Sequence, residues 1–387
     1  MTLEAKYAIQ ILKSVIEEKT SPEPPSEINW EVLYRFAVEH RVENIIYAGL
    51  SRLNCALDEK MMSVLAQQDM NCLGLSAMQE IELEQISYAF EKNHIRHMPL
   101  KGSILRYLYP SPDYRQSGDI DILIYPEELE KVSDILVGLG YEREVGYDSH
   151  EIHLSFLKAP ALHIEIHKSL VSKDSRTNNF CKTVWENTCI EEGFEYRYKM
   201  DKEYFFVYIV AHMAKHLNLG GAGIRLVLDI WVLLRKWNGQ LDFVKIDKLM
   251  KKARLTEIYQ YIYELIGKWF EDKSTDDEIV LKLEEYVLES GCFGNAENEE
   301  VMRSSKNIWY KLSSIKRYLF MDADLLKGDY PILNKTKLVL PFVWIHRLVK
   351  KVLFERKRVQ DRFKHCTGDG VGDKSFSVIS NAVSDLK

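Results

Sequence analysis

Two aspartates separated by one isoleucine, Asp119 and Asp121, stand in the run GDIDILIY. The run alternates as a β-strand does, and residues i and i+2 of a strand point to one face. Asp119 and Asp121 therefore share a face, while Ile120, Ile122 and Ile124 share the other and are expected to pack on a core. By itself such a pair is also what a polar strand edge looks like. Two carboxylates held side by side, however, repel each other and raise a pKa unless a cation lies between them. A hard divalent ion with oxygen ligands removes that conflict, so the pair predicts a magnesium site. A second alternating run, LHIEIHKSL, sets Glu165 between Ile164 and Ile166 and offers a third carboxylate from a neighbouring strand. Three carboxylates can hold two ions, the arrangement that activates an attacking oxygen and stabilises a leaving one in phosphoryl-type transfer.

Other residues could serve the same chemistry. Gly102-Ser103 falls at a strand-to-helix turn, where a missing Cβ and free helix N–H groups admit a phosphate. Lys101 precedes it and could neutralise phosphate; the plain alternative is a solvated lysine at a strand end. Arg115, in the loop before the aspartates, could clamp a phosphate with two N–H groups. His212 and His216 are four apart on one helix and face together. With Arg225 and Asp229 on the next helix they form either a wall over a nucleotide, with the intervening GGAG near phosphate, or a helix-packing network. His163, Glu165 and His167 share a strand face and could instead hold a transition metal. His150 and His153 read as surface or strand-edge residues. Met213 stands where a zinc protease helix would need glutamate, so that class is excluded.

These residues must be positioned by a small mixed α/β unit, residues 94–172. Its order is β-α-β-α-β-β-β, and PEELEKVSDILVGLG is a helix begun by Pro126 and stopped by Gly140. Residues 1–93 read as helical, with Ser26 as an N-cap, a break near His40–Arg41 and a long helix over 59–92. Residues 173–365 read as helical again and end in a basic helix carrying Arg347, Lys350, Lys351, Arg356, Lys357 and Arg358. That helix could touch an anionic membrane surface or an acidic partner, or simply be solvated. Residues 366–387 read as disordered. The fold class expected is α+β.

The order Leu-Lys-Gly-Ser, Arg115, Gly-Asp-Ile-Asp-Ile-Leu-Ile and Glu165 in His-Ile-Glu-Ile-His resembles the DNA polymerase β-like nucleotidyltransferase superfamily. Within it the chain is most similar to a bacterial group of uncharacterised nucleotidyltransferases. That group shares the Asn29-to-His40 pattern, a segment like AHMAKHLNLGGAGIRLVLDI and a tail like LVLPFVWIHRLVK. The resemblance implies that Asp119 and Asp121 bind two magnesium ions, with manganese possible, and that Glu165 binds the ion nearer the nucleophile and helps deprotonate an acceptor hydroxyl. It implies that Gly102 and Ser103 hold the triphosphate of an NTP, ATP as the first choice, and that pyrophosphate is released. The spacer from Ser103 to Asp119 is longer than in many of the superfamily, which leaves the phosphate contacts open.

Composition bounds the rest. The chain has 387 residues, 46% hydrophobic and 28% charged, with a formal charge of -6, an ordinary globular balance that argues against coating bulk nucleic acid. The six cysteines form no CxxC pair and read as thiols of a reducing cytosol. The N-terminus carries acids among its apolar residues and does not read as a signal peptide, and no apolar run reaches the roughly 20 residues of a membrane span. The expectation is a cytoplasmic enzyme that modifies a small molecule or a protein. Its rivals are a nucleotide-binding module without catalysis and a toxin-antitoxin type transferase acting on protein or tRNA.

Overall fold

The computed structural model describes residues 1–53, 57–144, 152–172, 175–218, 221–292, 330, 339–340 and 343–344. His150, the basic helix expected over 345–364 and the tail at 366–387 lie outside them. The described residues form twelve helices, a mixed five-stranded sheet and a two-stranded one, the expected α+β class.

Four helices come first: α1 (Leu3–Ile16), α2 (Trp30–Glu39), α3 (Glu43–Leu50) and α4 (Glu59–Lys92). The cap of α2 is Asn29 and not Ser26. Its side chain accepts the N–H groups of Glu31 and Val32, while a turn from Ile28 N–H to Pro25 O carries the proline-rich stretch past Ser26. The helix ends at Glu39, and Arg41 takes a positive φ of 55° that turns the chain into α3. This is the break expected near His40–Arg41.

The five strands are β1 (His97–Pro99), β2 (Ile120–Ile124), β3 (Glu142–Arg143), β4 (His153–Lys158) and β5 (Leu162–His167), in the spatial order β1-β2-β5-β4-β3. Only β2 and β5 run parallel. The short α5 (Gly102–Leu105) follows β1, and α6 (Leu129–Gly138) follows β2. Then come α7 (Asn178–Cys181) and a hairpin of β6 (Thr188–Ile190) and β7 (Tyr198–Met200). The hairpin falls in a stretch expected to be helical, because strands of three residues are too short to show alternation. The last helices are α8 (Lys202–Asn218), α9 (Ile224–Lys236), α10 (Phe243–Ala253), α11 (Thr256–Phe270) and α12 (Glu278–Ser290).

Ile120, Ile122, Ile124, Leu154, Phe156, Ile164 and Ile166 cover one face of the sheet and pack on Leu83, Ile86 and Phe90 of α4 and Val132 and Leu136 of α6. Each such side chain contributes roughly 1.5–3 kcal/mol when buried. A slip of one residue would turn the β2 isoleucines out and drive Asp119 and Asp121 into this apolar layer. The core therefore fixes the face on which the carboxylates stand. A second, larger core joins Ile11, Leu12 and Ile46 of the N-terminal helices to Phe206, Ile209, Trp231, Ile262 and Phe270 of the C-terminal ones. The 34-residue α4, about 51 Å long, has Leu65 in this core and Leu83 in the other, and so ties the two together. No helix among the described residues is long and apolar enough to cross a membrane.

Candidate active site

Because β2 and β5 are parallel neighbours, Asp121 lies directly opposite Glu165 and Leu123 opposite His167. Antiparallel β4 then sets His153 opposite His167 and Ser155 opposite Glu165. One sheet face thus carries Asp121, Glu165, His167 and His153 together. Carboxylate or ring atoms of Asp119, His163 and Glu165 all lie within 4.8 Å of one another, as do those of His153, Glu165 and His167. The three acids expected from the sequence converge. The alternative transition-metal set of His163, Glu165 and His167 divides between two clusters that share Glu165, His163 lying with Asp119 and His167 with His153 from across the strand pair.

Hydrogen bonds fix these groups. His167 Nε2 lies 2.7 Å from Asp121 Oδ1 and 3.3 Å from Glu165 Oε2. His153 Nε2 lies 3.3 Å from the other Glu165 oxygen. Lys101 Nζ donates to Asp121 Oδ1 at 2.7 Å. Burial, reinforced by Asp121 and Glu165, pushes Asp119 up to about 6. Burial would raise Asp121 as well, but Lys101 and His167 hold it well below the usual carboxylate range. Burial likewise opposes the charge of Glu165, yet the hydrogen bond from His167 keeps it below its ordinary value. His167 stays above its ordinary value against burial and Lys101, because it donates to two carboxylates.

The turn that carries Lys101 is packed from behind. Lys101 has φ 45° and ψ −117°, a backbone that side-chain-bearing residues seldom adopt. At Gly102 a Cβ would stand 2.2 Å from Ser117 Oγ, so the missing side chain makes room for the loop before β2. Gln79 of α4 holds that loop, donating to Ser117 O while accepting from Arg106. Ser103 is buried beside it.

Arg115 is buried and ion-paired: Nε donates to Asp229 Oδ1 at 2.7 Å, and Nη1 donates to Gln116 O. Tyr109 Oη donates to the same Asp229 oxygen, and Asp229 is fully buried. Arg225 donates to Gln116 O as well. The loop before β2 is thereby tied to α9. Of the GGAG segment, Gly223 caps α9, and a Cβ there would stand 2.8 Å from the backbone of Cys292; its space is filled by the end of α12.

Helix α8 brings side chains within electrostatic reach of the acidic face. Tyr208, His212 and His216 recur every four residues on one side of it, and the two imidazoles meet edge to face at 4.6 Å. Burial lowers His216 to about 4, helped by Lys215, Lys101, Arg225 and Arg115, and His212 is held down by burial, His216, Lys101 and Lys215. Four cations thus lie within electrostatic reach of these rings. Tyr208, raised by its burial, feels both Lys101 and Asp121. Exposed Lys215 lies within electrostatic reach of Lys101, Glu165 and Asp121. Sequence reasoning missed Tyr208, Lys215 and His153. The 208-212-216 spacing was the available signal for the tyrosine; His153 needed the strand register.

A strand pair with three converging carboxylates, faced by clustered cations, is what nucleotidyl transfer requires. The family model described as uncharacterised nucleotidyltransferase matches residues 26–271. The chain belongs to that family. The match runs from just ahead of α2 through α11 and contains every candidate residue named above. Membership supports nucleotidyl transfer as the general activity and an NTP as substrate. No curated protein and no solved structure matches the chain.

Proposed function

We propose that the protein moves a nucleoside monophosphate from an NTP, ATP as the first choice, to a hydroxyl of a small molecule or a protein in the cytoplasm. The observation that carries this reading is the convergence of Asp119, Asp121 and Glu165 on one sheet face below a cluster of cations. Asp119, pushed up to about 6 in company with two other acids, marks a donor set built to receive positive charge, which fits magnesium or manganese. Asp119, Asp121 and Glu165 would hold two such ions, which when bound neutralise phosphate charge and acidify the attacking hydroxyl.

Lys101, Gly102 and Ser103 line the triphosphate, with Arg115, Arg225, His212 and His216 forming the wall beyond and Lys215 its rim. Asp229 acts through Arg115, which it orients, because it is itself fully buried. The acceptor oxygen attacks the α-phosphorus in line. The new O–P bond forms as the bond to the bridging oxygen of the β-phosphate breaks, and its electron pair leaves with pyrophosphate. The acceptor's proton passes to Glu165. A formal charge of -6 favours a small or protein acceptor over bulk nucleic acid.

Pyrophosphate release from each NTP, with magnesium and cell extract, tests this reading. Wild type releases it and the Asp119→Asn/Asp121→Asn variant falls by about a thousandfold or more. Binding of NTP without release under any condition would instead make the domain a nucleotide-binding module.

A further inference from the structure

Magnesium is an oxygen-seeking ion, yet three histidines stand among the acids of this face. His153 and His167 are directly opposed across β4 and β5, with ring centroids 4.9 Å apart. The adjoining pair is hydrogen-bonded through Lys168 N–H to Ile152 O, so His153 and His167 occupy the closer, non-hydrogen-bonded type of pair, where side chains approach most. Glu165 presents one oxygen to each ring at 3.3 Å. On the other side of Glu165, His163 shares a 4.8 Å cluster with Asp119, and its Nε2 is buried without a hydrogen-bond partner. His167 Nδ1 is also buried and unpartnered, in a residue only 3% exposed.

Two buried imidazole nitrogens without partners flank this face, and such atoms are costly. Ligand atoms of His153, Glu165 and His167 lie within 4.8 Å of one another, close enough for one ion to join them. Imidazole suits zinc, iron, nickel and copper, whereas carboxylate, carbonyl and water suit magnesium, calcium and manganese. We infer that His153, Glu165 and His167 form a nitrogen-bearing site for a divalent first-row transition ion, adjoining the Asp119–Asp121 pair. Glu165 then belongs to both positions and couples the histidine site to the acidic one. The inference gives the proposed transferase a second ion position, selective for zinc- or cobalt-like ions, beside the acidic one that suits magnesium or manganese. It rests on that reading only for its catalytic meaning; the ion site itself stands on the side chains.

The test uses metal-free full-length protein without nucleotide. Calorimetric titration compares Co2+, Mn2+ and Mg2+, and pulsed EPR on the Co2+ form reads coupling to histidine nitrogen. The expected result is nitrogen coupling, Co2+ bound at least about a hundredfold more tightly than Mg2+, and a loss of about tenfold or more in Co2+ affinity in His153→Ala. His153→Gln, which keeps side-chain bulk, repeats the measurement, with circular dichroism confirming that both variants fold. Absence of nitrogen coupling, or Co2+ affinity unchanged in folded His153 variants, overturns the inference. Transfer that proceeds with magnesium in a protein lacking nitrogen coupling sinks this site alone. A nitrogen-bound ion in a protein that consumes no NTP supports the site and removes the transferase reading.

Discussion

Lys101 Nζ lies 2.7 Å from Asp121 Oδ1, and the lysine reaches it from a backbone φ of 45°. The ammonium is held above its ordinary pKa against its own burial by Asp121. A strained lysine on the central carboxylate serves as a resident counter-charge. Removing it leaves Asp121, 2% exposed, with a negative charge and only His167 to share it. Lys101→Met is expected to destabilise the fold by about 3 kcal/mol. Adding Asp121→Asn should recover much of that loss, and a double-mutant cycle by urea denaturation measures the coupling. Equal, additive losses would show that the contact carries no energy.

Gly102 owes its identity to Ser117. With a Cβ placed 2.2 Å from Ser117 Oγ and 3.0 Å from Ser117 Cβ, Gly102→Ala must displace the loop before β2. The cost expected is about 1–3 kcal/mol. Ser117→Gly in the same chain removes both clashing atoms and should restore most of the melting temperature. No rescue would place the cause in the turn's own backbone.

The pH dependence of stability follows from histidines buried neutral. His40 Nδ1 accepts the N–H of Ile224, and its Nε2 faces Leu288 O, so the ring links α2 to α9 and α12 as a neutral tautomer. Burial lowers its pKa to about 4, and burial does the same to His97. The folded pKa lies below the ordinary value of 6.5, so the unfolded chain takes up the proton first as pH falls. The contribution of such a ring to stability is therefore flat above about 6.5 and declines toward pH 4, by on the order of 3 kcal/mol for one group. His40→Gln should lower stability at neutral pH and flatten part of that slope. Denaturant midpoints between pH 4 and 8 check both effects.

At the rim, Lys215 is exposed and within electrostatic reach of Lys101 and the acids. Lys215→Ala should leave stability within about 0.5 kcal/mol of wild type. It should raise the KM for NTP roughly tenfold through loss of one phosphate-facing charge. Steady-state kinetics with the acceptor saturating separate this from a change in kcat.

Much of the site was legible because strand alternation is a local property. The pattern around Asp119, Asp121 and Glu165 fixed their faces before any coordinates, and β2 pairing with β5 completed the triad. The long helix over 59–92 was equally legible, since it holds no proline and a single glycine, Gly74. What depends on tertiary register was hidden. His153 reads alone as a strand-edge histidine, and only its position opposite His167 brings it to Glu165. Gly102 reads as a residue that admits phosphate; that its missing side chain also makes room for Ser117, fifteen residues further on, needed the fold. Ser26 was misread as a cap because a turn through Pro25 separates it from α2.

The measurement that bears most directly on the central claim follows the two ends of the triphosphate separately. Protein, divalent ion and cell extract are incubated in parallel with α-labelled and γ-labelled NTP. The account predicts that the α label enters an acceptor and that the γ label is recovered as pyrophosphate, both vanishing in Asp119→Asn/Asp121→Asn. Appearance of the γ label in the acceptor would mean that a different phosphate bond is broken and would contradict nucleotidyl transfer.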